Sequence, residues 1–222
     1  MARRGFLFRG KHRDRCVADL IHGTFEDRSG GPESIQLNVT AAEDWDPSAI
    51  VSCFPPWCVF DCQTTAVDAG LRVIDASVID HNGNVLFDTL VNPDIHIPAN
   101  ATVLTGLRDA EVMRAPRWGM IWSKLEDLFI SQNRVFAWSA EFDLRAMRGK
   151  CGRRDDLAWT TAIDARFVDL TPIVSSIVGF ECSFEEACSI AVCPYPPVGQ
   201  QRALRCCRSM MKIIQSLSPK GP

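Results

Sequence analysis

Three short runs of apolar and β-branched residues in the first half of the chain predict strands. They are Trp57–Asp61, Leu71–Ile79 and Asn84–Val91. Asn82 and Gly83 stand between the second and third runs, and this dipeptide is a strong signal for a two-residue hairpin. We therefore predict an antiparallel three-stranded meander over residues 57–91.

Beyond the meander, the apolar spacing changes to that of helices. Pro93 to Gly106 is polar and contains prolines, which predicts a loop. Pro116 fits the first turn of a helix that continues to Ile130 with an apolar stripe, and Arg134–Trp138 predicts a fourth strand. Further helical patterns occupy Glu141–Arg148, Asp164–Val178, Phe184–Ala191 and Gln201–Leu217. Strands followed by helices indicate a mixed α/β or α+β domain.

The first part of the chain has weaker patterning and segregated charge. Residues 1–15 are basic, residues 24–46 are acidic, and residues 201–222 are basic without any acid. We interpret residues 1–54 as a partly disordered extension, in which a short helix over 14–21 is one option. The folded domain is then 55–217, with a tail at 218–222. The basic ends suit either a phosphate backbone or a solvated surface.

Composition narrows the class of protein. A chain of 222 residues fits one compact domain with extensions. No apolar run approaches the roughly 18 residues of a transmembrane helix, and the start lacks a secretory stretch. The ten cysteines are scattered through a domain large enough to fold without disulfides. We therefore expect a soluble, cytoplasmic protein with reduced thiols and no membrane partner.

Two acids lie at or just after the ends of predicted strands and are the first candidates for chemistry. Asp61 ends the first strand, and Asp143 follows the fourth at the start of a helix. Acids at strand ends of one sheet can share a metal ion, whereas an acid at a helix start is often only a cap. Asp164, before another predicted helix, is interpreted as such a cap.

The residues around these acids form a longer pattern. Its parts, in chain order, are Phe60–Thr65, Val85–Pro93, Ile97-Pro98, Thr105–Leu107, Ala115-Pro116, Ala140–Met147 and Gln201–Cys206. This pattern, over about residues 57–216, resembles the DEDD 3′-to-5′ exonuclease superfamily, of the proofreading-subunit and ribonuclease T type. The resemblance implies a ribonuclease H-like α/β fold, a mixed sheet of about five strands flanked by helices.

The resemblance also implies a catalytic set that this chain has partly lost. In the family, four carboxylates hold two divalent ions, Mg²⁺ or Mn²⁺, and a histidine acts as the base. Asp61 and Asp143 match two of the carboxylates. Gln63 stands for the third, Cys206 for the fourth and Gln201 for the histidine, and no acid follows Glu186 to replace them.

These replacements predict weak ion binding and a severely impaired or inactive enzyme. Two acids leave a deficit of two charges against two divalent ions, and a thiol suits neither Mg²⁺ nor Mn²⁺. The alternative is an active 3′-to-5′ exonuclease with one ion held by Asp61 and Asp143, in which substrate phosphate supplies the missing charge.

The expected partner is single-stranded nucleic acid or a 3′ end, and a protein partner at the former active-site face is the other option. The residues expected to contact a strand are Thr64, Thr65, Trp138, Phe142, Arg202 and Arg205. Trp138 either stacks on a base or fills the core. A zinc site built from Cys53, Cys58, Cys62, Cys206 and Cys207 is a further, weakly supported option. The motifs do not distinguish RNA from DNA as the ligand, and they indicate no oligomeric state.

Overall fold

A five-stranded sheet forms the centre of the part of the fold that the structure describes. The computed structural model describes residues 55–67, 70–148 and 162–217, so the predicted extension at 1–54 and tail at 218–222 lie outside the described residues. The strands are β1 (Trp57–Thr64), β2 (Val73–Asp80), β3 (Val85–Leu90), β4 (Arg134–Ala137) and β5 (Phe167–Asp169). Their order is β3-β2-β1-β4-β5. The first three are antiparallel, and β4 pairs parallel with both β1 and β5. The predicted meander and mixed sheet are confirmed.

The hairpin between β2 and β3 follows the predicted turn chemistry. Gly83 adopts a φ of 86°, a conformation that glycine accepts at little cost. The Asp80 carboxylate Oδ1 accepts hydrogen bonds from the backbone N–H groups of Asn82 (2.9 Å) and Asn84 (2.8 Å). These contacts help to fix the register in which β3 pairs with β2.

Helices surround the sheet. In the described parts of the chain they are α1 (Ala99–Thr105), α2 (Asp109–Val112), α3 (Trp118–Ser131), α4 (Ala140–Arg148), α5 (Leu170–Val178), α6 (Phe184–Ile190) and α7 (Ala203–Leu217). Among these, no helix is both long and apolar enough to cross a membrane. Apart from the α1 region and the start of α5, the helices and strands predicted between residues 57 and 217 are confirmed with small shifts of their ends, whereas the optional helix over 14–21 lies outside the described residues.

The alternation along β1 divides the core into two layers. Phe60 faces one layer with Leu125 and Phe129 of α3. Val59 faces the other layer, where Met210 of α7 packs. Each fully buried side chain of this kind contributes about 1.5–3 kcal/mol, so α3 and α7 are held firmly on opposite faces of the sheet.

Pro93 to Gly106 is not wholly a loop, as the sequence predicts, because α1 occupies its second half. The helix ends at Gly106 (φ 77°), whose N–H donates to the Thr102 carbonyl. A Cβ at Gly106 would lie 2.2 Å from the Gly199 carbonyl oxygen, so glycine is required here. A seven-residue helix spans two turns, too few for an apolar period to show in the sequence.

The predicted helix over Asp164–Val178 is wrong in its first part, which contains β5. Asp169, at the end of this strand, caps α5 by accepting a hydrogen bond from the Thr171 N–H at 2.8 Å. Asp164 is therefore not the cap of α5. Its carboxylate lies 2.5 Å from the Arg148 guanidinium instead. A three-residue strand is too short to show alternation.

Val192 ends α6 in a conformation that favours glycine. Its φ is 51°, its side chain is 91% exposed, and Cys193 N–H donates to the Cys188 carbonyl at 2.9 Å. We expect Val192→Gly to raise the free energy of unfolding by about 1 kcal/mol, measured by urea denaturation, because it relieves left-handed strain. Val198→Gly, at an exposed valine without positive φ, is the matched control. A lower stability of Val192→Gly than of the unaltered chain would show that the left-handed valine is not strained.

Candidate active site

Three motif positions meet where β1 passes under α7. Asp61 and Gln63 are two residues apart on β1 and therefore lie on the same face of the sheet. The Gln63 Nε2 donates a hydrogen bond to Asp61 Oδ2 at 2.8 Å and lies 3.8 Å from the Cys206 Sγ of α7. The neutral amide thus bridges the acid and the thiol.

Asp143 reaches β1 from the first turn of α4. It is 2% exposed, and its Oδ1 accepts hydrogen bonds from the Cys62 N–H (3.2 Å) and the Cys62 thiol (3.0 Å). Because Cys62 lies between Asp61 and Gln63, this contact brings the second family acid to the same segment of β1. The structure therefore brings together four of the five predicted catalytic positions.

Burial and nearby negative charge raise the pKa of both acids. Burial raises the pKa of Asp143 to about 8, against the opposing effect of the Cys62 hydrogen bonds. Burial, and next the charge of Asp143, raise the pKa of Asp61 well above its usual value, while the Gln63 hydrogen bond opposes the rise. At neutral pH the pair therefore holds a proton and carries less than its full negative charge.

The fifth position, Gln201, is held from two sides. Its side-chain Nε2 donates to the Tyr195 hydroxyl at 3.0 Å, and its backbone N–H donates to the Leu104 carbonyl of α1 at 3.3 Å. An amide cannot accept and release a proton near neutral pH, so this residue positions the segment before α7 without acting as a base.

Asp75 is a site neighbour that sequence reasoning missed. It lies directly opposite Gln63 on β2 and is 1% exposed. Its Oδ2 accepts hydrogen bonds from Arg202 Nε (2.7 Å) and Ala203 N–H (3.0 Å), so it anchors the start of α7 to the sheet. An acid inside the apolar run 73–79 was the available signal, since a buried carboxylate requires partners.

The predicted strand-binding residues differ in how free they are. The Arg202 Nε donates its hydrogen bond to the Asp75 carboxylate. Thr65 is 1% exposed, and its hydroxyl accepts a hydrogen bond from the Arg72 N–H. These two side chains therefore have a structural role, because their hydrogen bonds are made within the protein. Thr64 and Phe142 are half-buried, and Arg205 is exposed, with its guanidinium donating to the Gln200 amide oxygen.

Trp138 follows β4 and packs in both layers of side chains beneath α7 and α6. Its ring centroid lies 5.2 Å from that of Phe184, which lies 5.8 Å from that of Tyr195. Trp138 remains half-buried. This aromatic row therefore supports the core-packing interpretation of Trp138. It also packs against Tyr195, which accepts the Gln201 hydrogen bond.

The residues at the site do not fit the family's pair of hard divalent ions. Within the described ranges, no group of three or more His, Cys, Asp or Glu residues is arranged to hold a metal ion. Burial, and next the charge of Asp61, raise the pKa of the Cys206 thiol well above its usual value, so it stays protonated. The Gln63 amide supplies Asp61 with a donor in place of a cation.

The cysteines do not converge on one point either. Cys58 packs in the layer under α3, whereas Cys206 and Cys207 pack in the layer under α7, on the other side of the sheet. Cys53 lies outside the described residues. A zinc site shared by these described cysteines is therefore not formed in this fold.

Comparison with known proteins finds similarity to exonucleases, in part of the sequence and in the fold. No family model matches the chain. It is 34% identical over 85 residues to an uncharacterized exonuclease of Escherichia phage 186, a match that covers 38% of this chain and 43% of that protein. The chain thus matches less than half the length of this relative.

Solved exonuclease structures share the fold. Exonuclease I of E. coli, in a zinc-bound complex with single-stranded DNA, has a TM-score of 0.60 at 14% identity, covering 73% of this chain and 41% of that one. A 3′-exonuclease that recognises the histone mRNA stem-loop has a TM-score of 0.57 at 13% identity, with coverages of 74% and 64%. Exonuclease X, bound to 5′-overhanging duplex DNA, has a TM-score of 0.53 at 15% identity, with coverages of 72% and 90%. The sequence resemblance to exonucleases and the ribonuclease H-like fold are confirmed.

Proposed function

We propose that this chain, an exonuclease-fold protein, binds single-stranded nucleic acid at the face formed by β1, α4 and α7 and hydrolyses it extremely slowly or not at all. The observation that carries the proposal is the contact of Gln63 Nε2 with Asp61 Oδ2 at 2.8 Å. The Asp61 carboxylate, which would face a metal ion in the family, here accepts a hydrogen bond from an amide.

Charge balance argues against two-ion hydrolysis. Two divalent ions carry four positive charges, and Asp61 with Asp143 supplies two negative charges at most. The interaction between two unit charges 4 Å apart has an energy of about 4 kcal/mol at an effective dielectric near 20, so each missing carboxylate is costly. Asp75 and Asp169 do not fill the gap, because Asp75 is paired with Arg202 and Asp169 accepts the N–H groups of Ser139 and Thr171.

The missing base compounds this loss. The general-base position of the motif holds Gln201, and its amide is engaged by Tyr195. A positioned general base contributes about 10²–10⁴-fold to a rate. Losing the base and two carboxylates, which act as a unit, therefore accounts for a severe loss of turnover.

Three features support strand binding. The proton held by the two acids lowers the repulsion that they would exert on a phosphate. Phe142, next to Asp143 in sequence, and Thr64, next to Gln63, are only half-buried, and the exposed Arg205 lies in the first turn of α7. Exonuclease I, with the same fold, has been solved with single-stranded DNA.

Fluorescence anisotropy of a labelled single-stranded oligonucleotide tests the proposal, measured in EDTA at rising salt for both DNA and RNA. We expect binding that weakens as salt rises, because phosphate contacts release counterions. Arg205→Ala should weaken it about threefold to tenfold, the range expected for one lost phosphate contact. Arg134→Ala, an exposed arginine at the opposite end of β4, should leave it unchanged.

A gel assay with Mn²⁺ on the same oligonucleotide separates binding from hydrolysis. We expect no shortening of the strand by the unaltered chain. Shortening that Asp61→Ala abolishes would contradict the proposal and establish the one-ion nuclease. Absence of any salt-sensitive binding would also contradict it and leave a protein partner as the use of this face.

A further inference from the structure

Two cysteines meet at the end of α6, away from the acids. They are Cys188, in the last turn of this helix, and Cys193, three residues after its end. Both side chains lie in the cluster formed by α5, α6 and α7. Neither the proposed strand binding nor the motifs use this pair.

The turn that joins these residues fixes their separation. Cys193 N–H donates to the Cys188 carbonyl at 2.9 Å, and Val192 N–H donates to the Ser189 carbonyl at 3.2 Å. With Val192 in the left-handed region, this is the Schellman pattern, in which the residue after the turn packs on the residue five positions earlier. Here the two residues that this turn brings together are both cysteines, and both side chains pack in the same cluster.

The two thiols differ in access. Cys193 is half-buried, and the other six cysteines that the structure describes are buried. Cys188 is 0% exposed. A reagent in solution therefore reaches Cys193 first, and Cys188 reacts only through its neighbour.

We propose that Cys188 and Cys193 form a reversible disulfide when a low-molecular-weight disulfide oxidises the protein. The Cys193 thiolate attacks one sulfur of that reagent, which forms a mixed disulfide and releases one small thiolate. The Cys188 sulfur, after losing its proton, attacks the Cys193 sulfur and releases the second small thiolate. The protein loses two electrons and two protons, and the reagent becomes two thiols.

Such a bond would restrict the movement of the segment that contains Tyr195 and Gln201. Cys193 Sγ lies 3.7 Å from the Ser209 carbonyl of α7, and the Ser209 hydroxyl donates to the Pro194 carbonyl at 2.6 Å. The chain leaving Cys193 is therefore already attached to α7. The disulfide would add a covalent link from Cys193 back to Cys188 at the end of α6.

Glutathione disulfide is the probe for the test, applied to the full-length chain under native conditions. After alkylation of the remaining thiols, cleavage at Glu186 and Arg202 isolates residues 187–202, free of Cys182. We expect this peptide to be lighter by two hydrogen atoms and to carry no glutathione. A lasting glutathione adduct on Cys193, or unmodified Cys188 and Cys193, would overturn the proposal.

Thermal unfolding supplies the second measurement. Oxidation should raise the unfolding midpoint by a few degrees, reversibly with dithiothreitol, because the crosslink restricts the unfolded chain. Cys193→Ala should abolish both effects, and Cys182→Ala, a buried cysteine of the same cluster, should keep both. A crosslink that lowers the midpoint would show that it distorts the turn, and would overturn the proposal.

Discussion

The variant Gln63→Glu/Gln201→His/Cys206→Asp is expected to gain Mn²⁺-dependent 3′-to-5′ exonuclease activity, at least about 100-fold above the unaltered chain. The glutamate would replace the amide that now donates to Asp61 at 2.8 Å. The new aspartate would add a hard oxygen ligand where a protonated thiol stands, and the histidine would supply the base. The four carboxylates would then match the charge of two ions. The assay is strand shortening on a sequencing gel, and Mn²⁺ titration calorimetry reports binding separately.

The matched control adds Asp143→Asn to these three changes and should be inactive. Each single substitution should gain little, because ions and base act as a unit. A triple variant that binds Mn²⁺ and strand yet leaves the strand intact would contradict the attribution of the lost activity to the three replaced side chains. It would place the cause in the attachment of residue 201 to Tyr195 and α1.

Asp143→Asn is expected to stabilise the metal-free fold at alkaline pH. The folded-state pKa of Asp143 is about 8, against about 3.9 for an unfolded aspartate. Its contribution to stability is therefore fully present below about pH 4 and is lost as pH rises through 8. The asparagine amide does not titrate, and its oxygen can still accept the Cys62 hydrogen bonds. The advantage of the variant should be on the order of a few kcal/mol at pH 9 and should shrink toward pH 4.

Urea denaturation in EDTA across this pH range measures the difference. Asp127→Asn, at an exposed acid on α3, is the control and should show no comparable change with pH. If Asp143→Asn were less stable than the unaltered chain at pH 9, the ionised Asp143 would have to be a stabilising group, which is incompatible with a burial cost that raises its pKa.

The sequence predicted the sheet because its strands carry strong local signals. β2 is buried along seven of its eight positions, and the hairpin dipeptide sets the register of β3. Asp61 and Asp143 could be paired in advance because each lies at or just after the end of a predicted strand and matches a family motif. The position of α7 over β1 came only from the resemblance, since no local pattern encodes a contact between residues 63 and 206.

The parts that the sequence missed depend on long-range partners. The ion pair of Asp75 with Arg202 joins residues 127 positions apart, so Arg202 appeared in the sequence as a free basic residue of a basic tail. Asp169 was hidden for a different reason. Its strand has three residues, and its cap becomes visible only when the end of β5 is known.

The hydrogen bond from Gln63 to Asp61 also constrains how this protein can change over generations. It gives Asp61 a hydrogen-bond donor, which stabilises two neighbouring acids at this face without a bound cation. Gln63→Glu alone would place a third carboxyl beside Asp61 before the other ligands had returned. A series of single substitutions toward a site with four carboxylates would therefore begin with a less stable protein.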